Sequence, residues 1–296
     1  MKTDNLILVG NPASGKSNYL GAALGYMAKQ MDDAICLVGV NSESRELIDS
    51  VEDKFKEGRW LEKTGGATNK KHLEYDVHFA TTLSDLCRQL KIKLNPTGPF
   101  WSHARLHVED WAGESFQGLR MAEKAEHIRD FLQDSLSANH VMVFFDGIEI
   151  ANPDTIGDLQ KDLGLLLEAQ KKIDDERARD RGQTFWGKVR NVLLSPKRVM
   201  SIVVTKCDAF EGNSQFCDDS GHASVEKVER YIMDKYTSFK AVTNHYNAKF
   251  FCVSCVPNPE HRVHHPKKGI MPNASWSVKD MESQVDAMKW IFNNLY

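Results

Sequence analysis

The sequence lacks any hydrophobic run long enough to form a signal peptide or to cross a membrane. It also lacks an excess of basic charge, since 38 Lys and Arg residues stand against 41 Asp and Glu residues, for a formal net charge of -3. This balance gives no global positive field of the kind that attracts nucleic-acid phosphates. We therefore expect a cytoplasmic protein with no membrane segment, and the composition does not indicate a nucleic-acid partner.

Cysteine is scarce as well, with 6 residues in a chain of 296. These are too few for a disulfide scaffold, and a reducing compartment would keep them as thiols. Cys252 and Cys255 form a C-x-x-C pair, but the sequence has no second pair of this kind. Because both lie in the apolar run FFCVSCV, a buried strand is favoured over a zinc site.

What the sequence does contain is an alternation of short apolar runs with helical patterns. The runs predict strands at 6–9, 34–40, 77–80, 106–108, 141–145, 201–204 and 249–253. The helical patterns lie at 17–31, 118–138, 154–174, 224–236 and 278–295. Because parallel strands need crossover connections, this order predicts an α/β fold with a doubly wound, mostly parallel sheet and helices on both faces.

Four segments exceed what such a fold requires, namely 41–76, 84–102, 171–198 and 257–276. They are charged, glycine-rich or Pro/His-rich, and dense charge is typical of a solvated face. We interpret residues 1–296 as a single enlarged domain with these insertions. In the last one, His261, His264 and His265 are interpreted as part of an exposed loop rather than as a metal site.

The segment GNPASGKS, residues 10–17, follows the first predicted strand and precedes the first predicted helix. This strand–G-x-x-x-x-G-K-S–helix context is that of a Walker A phosphate loop. The backbone N–H groups would cradle phosphates, Lys16 would reach the β- and γ-phosphates, and Ser17 would bind Mg²⁺. The predicted nucleotide-binding residues here are Gly10, Asn11, Ala13, Ser14, Gly15, Lys16, Ser17 and Asn18.

A second motif, DWAGE at 110–114, follows the predicted strand 106–108. In an open α/β sheet, ligands bind outside the carboxyl ends of the strands. We expect Asp110 to hold Mg²⁺, usually through water, and the N–H of Gly113 to meet a γ-phosphate.

A third motif, TKCD at 205–208, follows the predicted strand 201–204. The Asp208 carboxylate is suited to accept hydrogen bonds from guanine N1–H and the 2-amino group, and the stem of Lys206 to pack along the base. Adenine lacks both donors, so this motif favours GTP over ATP. After the last strand, Cys255 N–H is a candidate donor to guanine O6, braced by Ser254; a buried Ser/Cys pair is the alternative. Thr205 completes the predicted set.

Taken in order, GNPASGKS, DWAGE, TKCD and VSC resemble the translation-factor and Ras-like (TRAFAC) class of P-loop GTPases. The helical insert ending in Arg59-Trp60, followed by Thr64, resembles more narrowly the double-GTPase families of bacterial conflict systems. The resemblance implies a Ras-like G domain that uses GTP, GDP and Mg²⁺. It also implies a switch threonine that binds Mg²⁺, for which Thr64 is preferred and Thr68 is the alternative.

The resemblance further implies a residue that orients the attacking water. Many relatives have glutamine directly after the D-x-x-G glycine, whereas this chain has Glu114. A carboxylate accepts a proton from water but repels the γ-phosphate, so we expect slow intrinsic hydrolysis. Our hypothesis is that Glu114, or alternatively Gln117, polarises the water, and that a partner supplies an arginine. Within the chain, the candidate arginines are Arg45, Arg59 and Arg120.

Three functions compete on this sequence. The first is a GTPase switch whose segments 60–70 and 111–120, including Trp111 and Phe116, contact a protein partner or a second GTPase. The second is a scaffold that binds GTP without hydrolysing it, which Glu114 keeps open. The third, an ATP-dependent P-loop enzyme such as a kinase, is disfavoured by the TKCD motif.

Overall fold

The computed structural model describes residues 2–29, 35–61, 70–82, 99–111, 138–151, 164, 199–265 and 269–294. Its strands are β1 (Lys2–Gly10), β2 (Ile35–Gly39), β3 (Lys70–Thr82), β4 (Pro99–Trp111), β5 (His140–Asp146), β6 (Val199–Thr205), β7 (Asn247–Cys252), β8 (Arg262–His265) and β9 (Gly269–Pro272). Its α-helices are α1 (Lys16–Lys29), α2 (Ser42–Lys56), α3 (Gly147–Ala151), α4 (Val225–Lys235), α5 (Thr237–His245) and α6 (Asp286–Phe292). Within these ranges, no helix combines the length and the apolar character that crossing a bilayer requires.

The main sheet has seven strands in the order β2-β3-β4-β1-β5-β6-β7. β1 pairs in parallel with β4 and β5, and β5, β6 and β7 continue the parallel arrangement. β3 runs antiparallel to both of its neighbours. The predicted α/β fold with a mostly parallel sheet is therefore confirmed, with one reversed strand that the sequence did not indicate.

β3 and β4 extend well beyond the predicted strands 77–80 and 106–108. The reason lies in their alternating pattern, in which buried apolar residues such as Leu73 and Tyr75 alternate with polar ones such as His72 and Glu74. Only the short, more apolar part of each strand formed a recognisable run. Residues 70–76 and 99–102, which we had placed in insertions, consequently belong to the sheet.

The predicted helices agree with the structure in part. Predicted helices 17–31 and 224–236 correspond to α1 and α4, and the Ser224 side chain caps α4 by accepting from Lys227 N. The prediction of one helix over 278–295 is wrong, because a 3₁₀ helix at Val278–Met281 ends before α6 begins. The predicted helices 118–138 and 154–174 and the insertion 171–198 lie almost entirely outside the described residues.

The segment 257–276 is also more ordered than the predicted loop. It contains a 3₁₀ helix at Pro259–His261 and the antiparallel hairpin β8–β9. His261 contacts Asp280 through Nδ1, 2.7 Å from Oδ2. The prediction of a simple loop was therefore wrong, although His264 and His265 are exposed as expected.

Two hydrophobic cores lie on the two faces of the sheet. Along β1, Leu6 and Leu8 belong to the first core, whereas Ile7 and Val9 belong to the second, as the alternation of a strand requires. Helices α1, α2 and α6 contribute to the first core, and α4 and α5 contribute to the second. β1 is thus held in the centre of the molecule, and the loop that follows it has a rigid support.

Candidate functional site

The predicted site motifs meet at one edge of the sheet. β1, β4, β5, β6 and β7 all run in the same direction, so their carboxyl ends lie side by side. β1 is also the point where the strand order changes direction: β4, β3 and β2 lie on one side of it, and β5, β6 and β7 lie on the other. In open α/β sheets, the crevice at such a point is where ligands bind.

The loop at residues 10–17 has a backbone that requires its glycines. A Cβ at Gly10 would lie 2.6 Å from the carbonyl oxygen of Phe144, which is a steric clash. Gly15 has a φ of +83°, and Ala13 adopts a left-handed φ of 63° without being glycine. The loop therefore has the tight curvature that brings successive N–H groups towards one point.

Lys16 carries a buried positive charge at this loop. Its Nζ donates to the carbonyl oxygens of Gly10, at 3.0 Å, and Asn11, at 3.3 Å. These contacts hold the ammonium group against the loop that would surround the phosphates.

The structure also brings together two of the three predicted metal ligands, Ser17 and Asp110, whereas Thr64 lies outside the described residues. Ser17 Oγ donates to Asp110 Oδ2 over 2.7 Å, although the two residues lie 93 positions apart in the chain. Asp110 is 1% exposed. A buried carboxylate beside a hydroxyl supplies the hard oxygen atoms that Mg²⁺ prefers, so these residues fit that ion.

Thr205 connects the third motif to the phosphate loop. Its Oγ1 lies 2.6 Å from the carbonyl oxygen of Ser14 and 3.1 Å from that of Phe145. Thr205 thus connects β5, β6 and the loop, and it also lines the cavity described below.

Asp208 is oriented by the loop that follows β7. Ser254 Oγ donates to Asp208 Oδ1 over 2.8 Å and accepts from Val256 N at 3.2 Å. Ser254 N donates to Gln284 Oε1 over 2.8 Å, which anchors the same loop to the C-terminal part of the chain. The Asp208 carboxylate is therefore held by a chain of hydrogen bonds that runs through Ser254 to Gln284.

Lys206 has a left-handed backbone, with φ of 52°, and its Nζ forms an ion pair with Asp146 Oδ2. Asp146 ends β5 and was not predicted as a site residue. Its position directly after an apolar run, in line with Asp110 and Thr205, is the signal that was available.

A cavity of about 320 Å³ lies between these motifs. Predicted residues that line it include Ala13, Gly15, Asn18, Lys206, Asp208 and Cys255. The sequence did not predict its other wall, which includes Trp60, Ile148, His264 and Ile270. Two of the segments we had treated as insertions thus contribute directly to the cavity.

An aromatic cluster supports this wall from behind. The ring of Phe55 lies 4.5 Å from that of Trp276 and 5.1 Å from that of Trp60, measured between centroids. Trp276 is fully buried, and its Nε1 donates to the carbonyl oxygen of Cys255 over 2.9 Å. The sequence showed these tryptophans, but it did not show that helix α2 and the hairpin segment meet through them.

Two further predicted residues make contacts of their own. Asn18 Oδ1 accepts from Leu61 N over 2.9 Å, so it holds the segment that contains Trp60. Asn11 Nδ2 donates to Glu149 Oε2 over 3.4 Å, and burial together with the Asp146 charge raises the pKa of that carboxyl. Glu149 was not predicted.

The buried strand favoured for the C-x-x-C pair covers only its first cysteine. Cys252 ends β7, whereas Cys255 lies in the following loop beside Asp208. Burial, reinforced by the Asp208 charge, raises the pKa of the Cys255 thiol to about 12. Without a metal, the Cys255 thiol is therefore protonated at neutral pH.

Several predicted contacts are placed elsewhere. Trp111 is 3% exposed and packs in the second core, so it is not at the surface that we expected to meet a partner. Arg45 donates to the carbonyl oxygens of Gly39 and Val40, and Arg59 pairs with Glu57. The remaining predicted residues, Thr64, Thr68, Gly113, Glu114, Phe116, Gln117 and Arg120, lie outside the described residues.

Comparison with known proteins gives no relative on which to base an assignment. The chain matches no protein-family model and no curated protein sequence.

Proposed function

We propose that this chain binds GTP with Mg²⁺ and hydrolyses it to GDP and phosphate, with a P-loop domain of the Ras-like class. The observation that carries the proposal is the placement of Asp208, held by Ser254, on the same cavity as the phosphate loop. Thr205 ties the two together through Ser14. A carboxylate that can recognise a base and a loop that can bind phosphates, both on one cavity, suit a purine nucleotide.

Lys16, Ser17 and Asp110 would bind the phosphate end of the nucleotide. Lys16 supplies positive charge at the loop, and the N-terminus of α1 adds the positive end of a helix dipole. Ser17 and Asp110 would hold Mg²⁺, which supplies neutralisation of phosphate charge when it is bound.

The base end explains a preference for guanine. Asp208 accepts hydrogen bonds from guanine N1–H and the 2-amino group, whereas adenine would leave this carboxylate desolvated and without a donor. Lys206, held by Asp146, and Ile148 lie on the same cavity and provide stem and side-chain surface for the ring. An ATP-dependent enzyme is therefore disfavoured.

Hydrolysis remains the part of the proposal that rests on the sequence. Glu114, or alternatively Gln117, would polarise the attacking water, and Thr64 would complete the metal site. The departure from glutamine at position 114 also supports a second function, a scaffold that binds GTP without turnover. Phosphate release measured on the wild-type protein distinguishes the two.

We also propose that segment 60–70 forms a nucleotide-dependent contact surface for a protein partner or for a second GTPase. Trp60 lines the cavity, and Leu61 N is bonded to Asn18 directly after the phosphate loop. A bound nucleotide would contact the start of this segment and so couple occupancy to the surface that a partner reads. Segment 111–120, apart from the buried Trp111, is proposed as the second such surface.

The deciding experiment changes the base reader and the base together. In Asp208→Asn, the amide can donate to the 2-carbonyl oxygen of xanthine but no longer offers two acceptors to guanine. We expect wild type to prefer GTP over XTP and ATP, and Asp208→Asn to prefer XTP, in titrations with fluorescent analogues in Mg²⁺. Asp219→Asn, an exposed substitution of the same kind, should keep the GTP preference.

The outcomes separate the alternatives. Guanine-selective binding with phosphate release supports the GTPase, and the same binding without release supports the scaffold. A wild-type preference for ATP, or an Asp208→Asn protein that still prefers GTP, would show that Asp208 does not read the base.

A further inference from the structure

A second cluster of ligand-type side chains lies on strands β3 and β4, apart from the cavity. The register places Glu74 opposite His107 and His72 opposite Glu109. The residues that alternate with them belong to the first hydrophobic core, so these four side chains share the other face of the strand pair. The backbone positions are thus fixed by the ladder of a central antiparallel pair.

Three of these residues have the geometry of a metal site. One ligand atom from each of His72, Glu74 and His107 lies within 4.8 Å of the other two. His72 Nε2 is 3.1 Å from Glu74 Oε1, and the rings of the two histidines are 5.4 Å apart between centroids. Atoms that bind one ion at about 2.0–2.2 Å stand roughly 3–4 Å from each other, so small side-chain rotations suffice.

The fourth residue has a different role. Glu109 Oε1 lies 2.6 Å from His72 Nδ1, on the side of the ring opposite to Glu74. A histidine that binds a metal through one nitrogen commonly donates its other N–H to a carboxylate, which fixes the tautomer and the ring orientation. Glu109 therefore directs Nε2 of His72 towards Glu74 and His107.

We propose that His72, Glu74 and His107 bind a divalent transition-metal ion of the Zn²⁺ class, with Glu109 as the carboxylate that orients His72. Two imidazoles and one carboxylate suit Zn²⁺ or Co²⁺, whereas Mg²⁺ prefers oxygen ligands. The site is therefore chemically distinct from the Ser17–Asp110 pair. Its fourth position is open to water or to a side chain of a partner. The ion links the third residue of β3 to the carboxyl-terminal half of β4.

The test is a titration of the nucleotide-free protein with Co²⁺ in excess Mg²⁺, read from visible absorption, followed by displacement with Zn²⁺. We expect one Co²⁺ per chain, displaced by one Zn²⁺. His107→Gln and Glu74→Gln should abolish this site, and Glu109→Gln should weaken Zn²⁺ binding by about 10–100-fold. His78→Gln is the matched control, because His78 lies on the same face of β3 but outside the cluster.

Absence of stoichiometric Co²⁺ binding to the wild-type protein would overturn the proposal. Equal losses in His107→Gln and His78→Gln would also overturn it, since a site on this cluster must distinguish them. X-ray absorption at the zinc edge of the wild-type protein gives an answer that needs no variant. A shell of nitrogen and oxygen with imidazole scattering supports the proposal, and a sulfur shell excludes it. Because no nucleotide is present, the result is independent of GTP binding.

Discussion

The hydroxyl of Ser254 donates to the carboxylate of Asp208 over 2.8 Å, and this bond joins the loops that follow β6 and β7. The same serine is anchored to Gln284 through its backbone N–H. The orientation of the Asp208 carboxylate, which we propose reads the base, therefore depends on residues from three distant parts of the chain.

Ser254→Ala should weaken GTP binding without unfolding the protein. A hydrogen bond to a charged group contributes about 1.5–3 kcal/mol, which corresponds to a loss of roughly 10–100-fold in affinity. Titration with fluorescent GTP and ATP analogues should show that the affinity for GTP falls more than the affinity for ATP. The selectivity for guanine over adenine should therefore decrease. Ser275→Ala, at an exposed position, serves as the control. Unchanged GTP affinity in Ser254→Ala would mean that Asp208 does not depend on this bond.

Ser17→Ala should act on the metal rather than on the base. The Ser17 hydroxyl lies 2.7 Å from Asp110 Oδ2, so its removal takes one oxygen atom from the proposed Mg²⁺ site. Removal of a supporting group at a metal site typically lowers metal affinity at least about tenfold. We therefore expect half-maximal GTP binding to need at least about tenfold more Mg²⁺ than in the wild-type protein. Binding measured across Mg²⁺ concentrations checks this, with the exposed Ser42→Ala as the control. Identical Mg²⁺ dependence in wild type and Ser17→Ala would place the metal elsewhere.

The central strands and the site motifs were predictable because their signals are local. β5 and β6 are buried along their whole length, so their sequences are mostly apolar, and the predicted strands miss only one or two residues at each end. The residue pattern from Gly10 to Ser17 is local, and it alone indicates a tightly curved loop. Strand ends then place Asp110 and Asp208 at one edge of the sheet.

The rest depended on contacts between distant residues. The polar residues of β3, such as His72, interrupt its apolar pattern, and the pairing that makes it a strand comes from β2 and β4. Trp60 and His264 lie on one cavity only because α2 and the β8–β9 hairpin fold against the same side of the site. The residue pattern within one segment does not indicate such a contact between distant segments.

Glu52 should give a pH-dependent contribution to stability. Hydrogen bonds from Lys29 and then Lys56 lower the pKa of its carboxyl below the usual 4.5. Because the folded pKa is lowered, this contribution is present above pH 4.5 and is lost as the pH falls through the folded value. Both lysines are partly exposed, so we expect Glu52→Gln to lower the free energy of unfolding at pH 7 by only about 0.5–1 kcal/mol.

Urea denaturation of wild type and Glu52→Gln at several pH values checks this. The difference between them should shrink as the pH falls below 4.5. Glu46→Gln, an exposed substitution on the same helix, is the control for a general change of charge. A difference that stays constant into the acid range would show that packing, rather than the ion pairs, accounts for the effect.

Trp276→Phe should weaken GTP binding, although Trp276 does not line the cavity. The substitution keeps a ring beside Phe55 but removes the Nε1 donor to the carbonyl oxygen of Cys255. That bond contributes about 1 kcal/mol, which corresponds to an approximately fivefold loss of affinity if the loop beside Asp208 shifts. Trp276→Ala should in addition destabilise the fold by about 3–5 kcal/mol, because the indole is fully buried.

The matched control for this effect is Trp290→Phe. Trp290 packs against the same hydrophobic core from α6, yet it is not part of the cavity wall or of the cluster around Phe55. Thermal unfolding and titration with a fluorescent GTP analogue should therefore separate the two variants, with both losing stability and only Trp276→Phe losing affinity. If both retain wild-type affinity, the bond to Cys255 stabilises the fold without orienting the loop, and Ser254 alone positions Asp208.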